Sequence, residues 1–314
     1  LLPHLAALRS RGALLPCASV TPPVTFPAWT TCVTGVNPGR HGIFDFTELR
    51  PGEHALRWVN GSFRKAPAIW NVLHAAGKRS IVLGVPGTWP PEPVDGIFVS
   101  GFDSPVATAV DPGFVHPRAV WPRVRGWRFA ELDESNVGPG WHARALPVLL
   151  RKIDDKAAIA EDLLRHEAWD FAMVVFGESD TAGHHFWVFH DRHSPRHQPG
   201  LEDALLRVYQ QLDGAVGRLL AAAGDDCAVG IVSDHGFGGA GTRVLHLNNW
   251  LRDRGWLHYA RGGGGDALLK RVALRAVPAS MRGALFRRLR GLATRAESAS
   301  RFGGIDWAHT RAWS

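Results

Sequence analysis

Apolar residues recur along this chain in two rhythms, and the changes of rhythm mark its elements. Leu2, Leu5 and Leu8 fall at helical spacing and stop before Gly12, so residues 1–9 read as a helix, and Ala13–Leu15 as a short strand. Pro67 suits a first helical turn, and Ile69, Leu73 and Ala76 then lie on one side of a helix that stops at Gly77. Ile81–Val85, Ile97–Val99, Phe171–Phe176 and Ala228–Val232 are continuous apolar runs of strand length. Between them, residues 146–166 keep a helical pattern, and Glu202–Leu220 places Leu205, Val208, Leu212, Val216 and Leu219 on one face. Helices alternating with short apolar strands predict an α/β fold with a largely parallel central sheet flanked by helices. Pro, Gly and Trp break the pattern between about residues 86 and 145, which reads as an irregular cap region.

Composition adds little to that picture, whereas the distribution of charge adds more. With 314 residues, 45% hydrophobic and 21% charged, the chain suits a large globular domain over residues 1–260, and no apolar run reaches the roughly 18 to 20 residues of a membrane span. The net charge of +7 is concentrated: residues 261–301 hold ten Lys and Arg against Asp266 and Glu297, or +8, which leaves −1 for the rest. This segment follows the Gly262–Gly265 join and reads as a basic helical insertion or tail. It is either a solvated face or, with Leu268, Leu269, Val272, Leu285, Phe286 and Leu289 beside the charges, a contact for an anionic membrane or a nucleic acid. Cys17, Cys32 and Cys227 are odd in number and form no C-x-x-C pair, which favours a reducing, cytoplasmic location. The chain opens at Leu1 and stops at Ser314 in mid-pattern, so it is expected to be a piece of a longer protein, with residues 302–314 beginning a further, truncated core segment.

The candidate chemistry lies in three polar clusters. Thr25 sits two places before Pro27, which predicts a helix over Pro27–Thr34 with Gly35 as its left-handed terminator and Thr25 just outside its N-terminus. Backbone N–H groups and the helix dipole attract anions there, so Thr25 is either a helix cap or a hydroxyl placed to attack a bound phosphate. Asp180 and His184 follow the Phe171–Phe176 run, and Asp234 and His235 follow Ala228–Val232. Open parallel sheets bind ligands at the carboxyl ends of their strands, so the clusters are expected to converge. Carboxylate and imidazole together suit zinc, and manganese accepts them too.

PVTFPAWTTCVTGVNPGRHG from Pro23, SDTAGHHFW from Ser179 and VSDHGFG from Val232 together resemble the alkaline phosphatase superfamily, most closely its type I phosphodiesterase and nucleotide pyrophosphatase branch. The resemblance implies two divalent metal ions, one held by Thr25, Asp234 and His235 and the other by Asp180 and His184, with Thr25 as nucleophile toward a small-molecule phosphate ester. It also implies a further Asp ligand in a strand before Leu1 and a His beyond Ser314. Phe46 stands where nucleotide pyrophosphatases carry a phosphate-holding Asn, which points away from nucleotides. The function expected is a metal-dependent phosphoesterase, a phosphodiesterase first. A phosphomonoesterase or phosphomutase on the same scaffold, and a non-catalytic binding module with an incomplete metal site, are the alternatives.

Overall fold

The computed structural model describes residues 1–49, 53–102, 110–134, 137–260, 294–295, 298–299 and 301–314. In chain order the elements are α1 (Pro3–Arg11), α2 (Thr25–Thr34), α3 (Pro38–His41), β1 (Thr47–Leu49), β2 (Leu56–Trp58), α4 (Ile69–Ala75), β3 (Ser80–Leu83), β4 (Gly96–Val99), β5 (Val115–His116), α5 (Trp121–Val124), α6 (Trp141–His166), β6 (Phe171–Val174), α7 (Glu178–His190), α8 (Ala204–Ala223) and α9 (Leu247–Asp253). The chain divides into two units, residues 1–46 with 59–239, and residues 47–58 with 240–314. Residues 240–260, expected inside the α/β domain, thus fall in the second unit. The basic segment 261–301 lies almost wholly outside the described residues, and with it the expected helical tail. Among the described residues, no helix is long and apolar enough to cross a membrane.

The first unit is built on a four-stranded mixed sheet in the order β5-β4-β3-β6. β3 pairs in parallel with both β4 and β6, Ser80 standing opposite Gly96 and Phe171, while β5 adds an antiparallel edge. The unit is therefore α/β and largely parallel, as the alternation of patterns predicts. Alternate residues of β3 serve opposite faces. Ile81 and Leu83 join a core with Ile97, Val99, Phe114, Trp127 and the α6 residues Ala160 and Leu163, whereas Val82 joins Phe98, Trp70, Trp29 and Val33 on the other side. Burial of each such aliphatic side chain is worth about 1.5–3 kcal/mol, so β3 is the strand that most fixes the sheet.

Helices α6, α7 and α8 form a second core through Leu149, Ile153, Ala157, Phe186, Leu205 and Val208. The N-terminal end of α1 is tied to α8, because the buried Asp213 carboxylate accepts the His4 and Leu5 N–H groups at 3.1 and 2.8 Å. That arrangement pairs two of the donors a helix leaves free at its start with a charge of favourable sign.

Several expectations are corrected by tertiary context. Ala13–Leu15 forms no strand, and Leu14 and Leu15 are exposed. α4 turns Trp70 into the core and leaves Ile69 and Val72 exposed, because the bulky ring, and not the apolar stripe read from its neighbours, fills the space beside Phe98. Val110, Phe114, Val115, Val124, Trp127 and Phe129 belong to the core around β3, so this part of the stretch read as a cap is interior. Among the described residues no strand pairs with Ala228–Val232, and Val229, Ile231 and Val232 are 45%, 58% and 48% exposed. β6 is the last strand on that side among the described residues, and an extended segment without a neighbour has no partner for its backbone groups.

The second unit has its own small core. The antiparallel pair β1–β2 brings Leu56 to Leu251, Leu257, Phe302 and Ile305, and the Trp307 ring stacks on His54 at 3.5 Å. Residues 302–314, expected to open a further core segment, are packed into this unit.

Candidate active site

α2 starts earlier than its proline suggests. Val24, with extended backbone at φ −96° and ψ 143°, precedes the helix and its carbonyl accepts the Ala28 N–H at 3.0 Å; Thr25 is the first helical residue and Pro27 the third. The end is as expected: Gly35 takes φ +68° and its N–H donates to the Thr31 carbonyl at 2.8 Å. No side chain caps the start of α2, so Thr25 does not spend its hydroxyl as a cap. Thr25, Trp29 and Cys32, spaced four and three residues apart and so on one helical face, line a cavity of about 1640 Å³. Asp180, Asp234 and His235 line the same cavity.

The next turns of the chain anchor this helix. His41 is fully buried, its Nδ1 accepts the Ile43 N–H at 3.1 Å and its Nε2 lies 2.9 Å from Thr31 Oγ1. Because Nδ1 accepts, Nε2 carries the proton and donates it to Thr31. Burial lowers the His41 pKa, in keeping with that neutral ring.

β6 delivers the chain to α7, where Asp180 is the third residue and His184 stands one turn later on the same side. The loop 232–238 comes against this helix at Gly183. A Cβ at Gly183 would lie 2.8 Å from the Phe237 ring, so only glycine lets the ring settle there, and the ring also stands edge-on to His184 at 5.0 Å. The contact brings two pairs from different elements together. His184 Nε2 lies 3.6 Å from Asp180 Oδ2, His235 Nε2 lies 3.8 Å from Asp180 Oδ1, and His235 Nε2 lies 3.4 Å from Asp234 Oδ2. Ser19 Oγ donates to the Asp234 carbonyl at 2.5 Å and so ties the segment before α2 to the same loop.

Burial pushes the Asp234 carboxyl up, and the Asp180 carboxylate adds to the shift while His235 opposes it. Asp180 Oδ1 is buried and accepts no hydrogen bond. Among the described residues, no three of these groups are drawn into one metal-holding set, and His184 is 65% exposed at its side chain. The donors nevertheless fit a divalent cation by type: two carboxylates, one with an orphaned buried oxygen, and two imidazoles.

A family model described as type I phosphodiesterase / nucleotide pyrophosphatase matches residues 1–290. The chain belongs to the type I phosphodiesterase / nucleotide pyrophosphatase family. No curated protein matches it. Among solved structures it is similar to phosphonoacetate hydrolase from Sinorhizobium meliloti 1021, crystallised with phosphonoformate, at 19% identity and a TM-score of 0.45 over 70% of this chain. The chain spans about half the length of that protein, 48%.

Phe46 lies in apolar surroundings. Its ring packs 4.5 Å from Phe26 and 6.3 Å from Phe102, and its N–H is taken by Asp45 Oδ1 at 2.7 Å. The position the resemblance gives to a phosphate-holding Asn is thus part of an aromatic cluster. Beside the motifs stand four further charged residues, Lys156 and Glu178 buried and Glu131 and Lys152 half-buried. A signal for two of them was present, since Lys152 and Lys156 fall on the apolar stripe of α6 that carries Leu149, Ile153, Ala157 and Ala160.

Proposed function

We propose that this protein is a metal-dependent phosphoesterase that prefers diesters, with Thr25 as its nucleophile. The observation that carries the reading is the meeting of two Asp/His pairs from separate elements, His235 Nε2 lying 3.8 Å from Asp180 Oδ1, beside the cavity that Thr25 lines. Thr25 Oγ gives its proton to solvent and bonds to phosphorus while the bond from phosphorus to the leaving alcohol oxygen breaks, in line, and the departing oxygen takes up a proton from water. Water then attacks the phosphothreonine, which frees the phosphate product and returns the hydroxyl. Thr25 opens α2, and the free N–H groups and positive pole of that helix start favour the negative phosphate oxygens.

Asp234 and His235, with Thr25, would hold one divalent ion, and Asp180 and His184 the other, zinc or manganese in each case. Such ions lower the pKa of a hydroxyl and neutralise charge on phosphate oxygens. The orphaned Asp180 Oδ1 and the upward shift of Asp234 support this, since a cation offsets both. The aromatic cluster around Phe46 supports a substrate other than a nucleotide.

The test pairs an aryl phosphodiester with the matching monoester, with zinc or manganese added. The wild-type protein turns over the diester faster, whereas Thr25→Ala keeps most of its bound metal and loses turnover by about a thousandfold or more, as expected for a missing nucleophile. Equal activity in both proteins removes Thr25 from the mechanism, and preference for the monoester overturns the diesterase reading.

A further inference from the structure

Two buried charges in the first unit have no part in the chemistry just described. Lys156 of α6 is 3% exposed and Glu178, the first residue of α7, is fully buried; Lys156 Nζ lies 2.8 Å from Glu178 Oε1 and 5.5 Å from the centre of the Trp127 ring. Charged residues are almost never buried this deeply without a partner, and an apolar pair of similar volume commonly gives equal or greater stability. Stability alone therefore does not account for the pair.

Its place in the fold does. Glu178 and Asp180 are two residues apart on α7, about 200° around the helix, so the side chain that is sealed against α6 and the side chain that lines the cavity belong to opposite sides of one turn. Lys152, one turn before Lys156, donates to the Glu131 carbonyl at 2.6 Å. The adjoining Ala130 sits so close to Gly177, the residue before α7, that a Cβ at Gly177 would approach Ala130 Cβ to 3.2 Å. One face of α6 thus grips both the 130–131 loop and the start of α7.

We infer that Lys156 and Lys152 are positioning residues that fix the rotation and height of the first turn of α7, and thereby the Asp180 carboxylate, through Glu178 and the 130–131 loop. The inference rests on the reading of Asp180 as a metal ligand, and it assigns to α6 the support of that ligand. An apolar contact could form at several heights along α6, whereas the Lys156 ammonium, 2.8 Å from Glu178 Oε1, is the counter-charge that the otherwise unpartnered Glu178 carboxylate has in its buried place.

The test uses the full chain as wild type, Lys156→Met and the double variant Lys156→Met/Glu178→Met. The single variant leaves a buried carboxylate unpaired and melts lower, while the double variant regains most of the lost melting temperature. With manganese alone as the titrant, the double variant still takes up the ion about tenfold or more weakly, and its kcat on the aryl diester falls while KM moves by less than about threefold. Amide hydrogen exchange at residues 179–184 is faster in the metal-free double variant and unchanged in α8. A double variant with wild-type manganese affinity, kcat and exchange overturns the inference. Should the wild-type protein take up no manganese or zinc, the phosphoesterase reading fails on its own, and the exchange rates at residues 179–184 decide the positioning role. A single variant that fails to fold leaves that decision with the double variant.

Discussion

Phe171–Val174 and Ala228–Val232 are alike as sequences: each is a short apolar run followed by an aspartate of the candidate site, six residues on for the first and two for the second. In the fold they diverge. The first lies in the sheet beside β3, and the turn after it is gripped by α6, whereas the second has no strand partner and carries exposed apolar side chains. Asp180 is therefore placed from behind, by a helix and a buried ion pair. Asp234 is placed from the front, by Phe237 against Gly183 and by Ser19 on its carbonyl. Two carboxylates of one site are thus held by different physics, one by packing and charge, the other by a few surface contacts.

The largest effects that sharpen this comparison are expected at the two aspartates proposed to hold metal. Asp180→Asn and Asp234→Asn should each remove measurable manganese uptake and turnover, and calorimetric titration of both checks that the two sides serve one site. Next comes the cost of truncating an aliphatic residue on each side. Ile81→Ala, beside β6, should cost about 2–5 kcal/mol in urea unfolding, and Ile231→Ala no more than about 0.5 kcal/mol. Equal costs would mean that residues 228–232 are packed as a strand after all.

The gripped side also carries a pH signature. Burial raises the Glu131 carboxyl from its ordinary 4.5 to about 7, so the folded protein keeps a proton that the unfolded chain gives up. The stability it contributes is complete below pH 4.5 and is lost as pH rises to about 7, by up to about 3 kcal/mol. Lys152 runs the other way: burial lowers it from 10.5 to about 8, so its contribution is present above 10.5 and lost as pH falls to about 8. Melting temperatures of Glu131→Gln, set against wild type from pH 5 to 7, should lack most of the wild-type decline. On the loosely held side the expected effect is smaller. Gly183→Ala gains about 1 kcal/mol of helix propensity and loses about 1–3 kcal/mol to crowding by Phe237. Stability should fall by no more than about 2 kcal/mol, while manganese affinity drops about tenfold as the 232–238 loop is pushed away. Unchanged affinity would show that the Phe237 contact does not place Asp234.

What was legible in the sequence was whatever a segment determines by itself. α6, α8 and β6 have their own periodicity or apolar run, and the pairs Asp180/His184 and Asp234/His235 are local motifs that the fold brings together. Properties that depend on a neighbour were not legible. Whether Ala228–Val232 is a strand depends on a pairing partner, whether α4 shows Ile69 or Trp70 to the core depends on the space beside Phe98, and β5 is two residues placed by β4. The same reason hid Lys156 and Glu178, whose partnership is made by packing α6 on α7. Thr25 lay between these cases: its helix was readable, but not the two residues by which the helix starts early.

The open edge of β6 has a further consequence, for how the molecule behaves in company. Neither FAMV nor AVGIV contains a proline or a charge, the devices that usually keep strand edges apart. One edge is satisfied by β3, among the described residues no strand pairs with the other, and Val229, Ile231 and Val232 already stand in solvent. Concentrated solutions of this protein should therefore gain intermolecular sheet before they lose helix, and the segments that enter such aggregates first will be those that lead into the two aspartates.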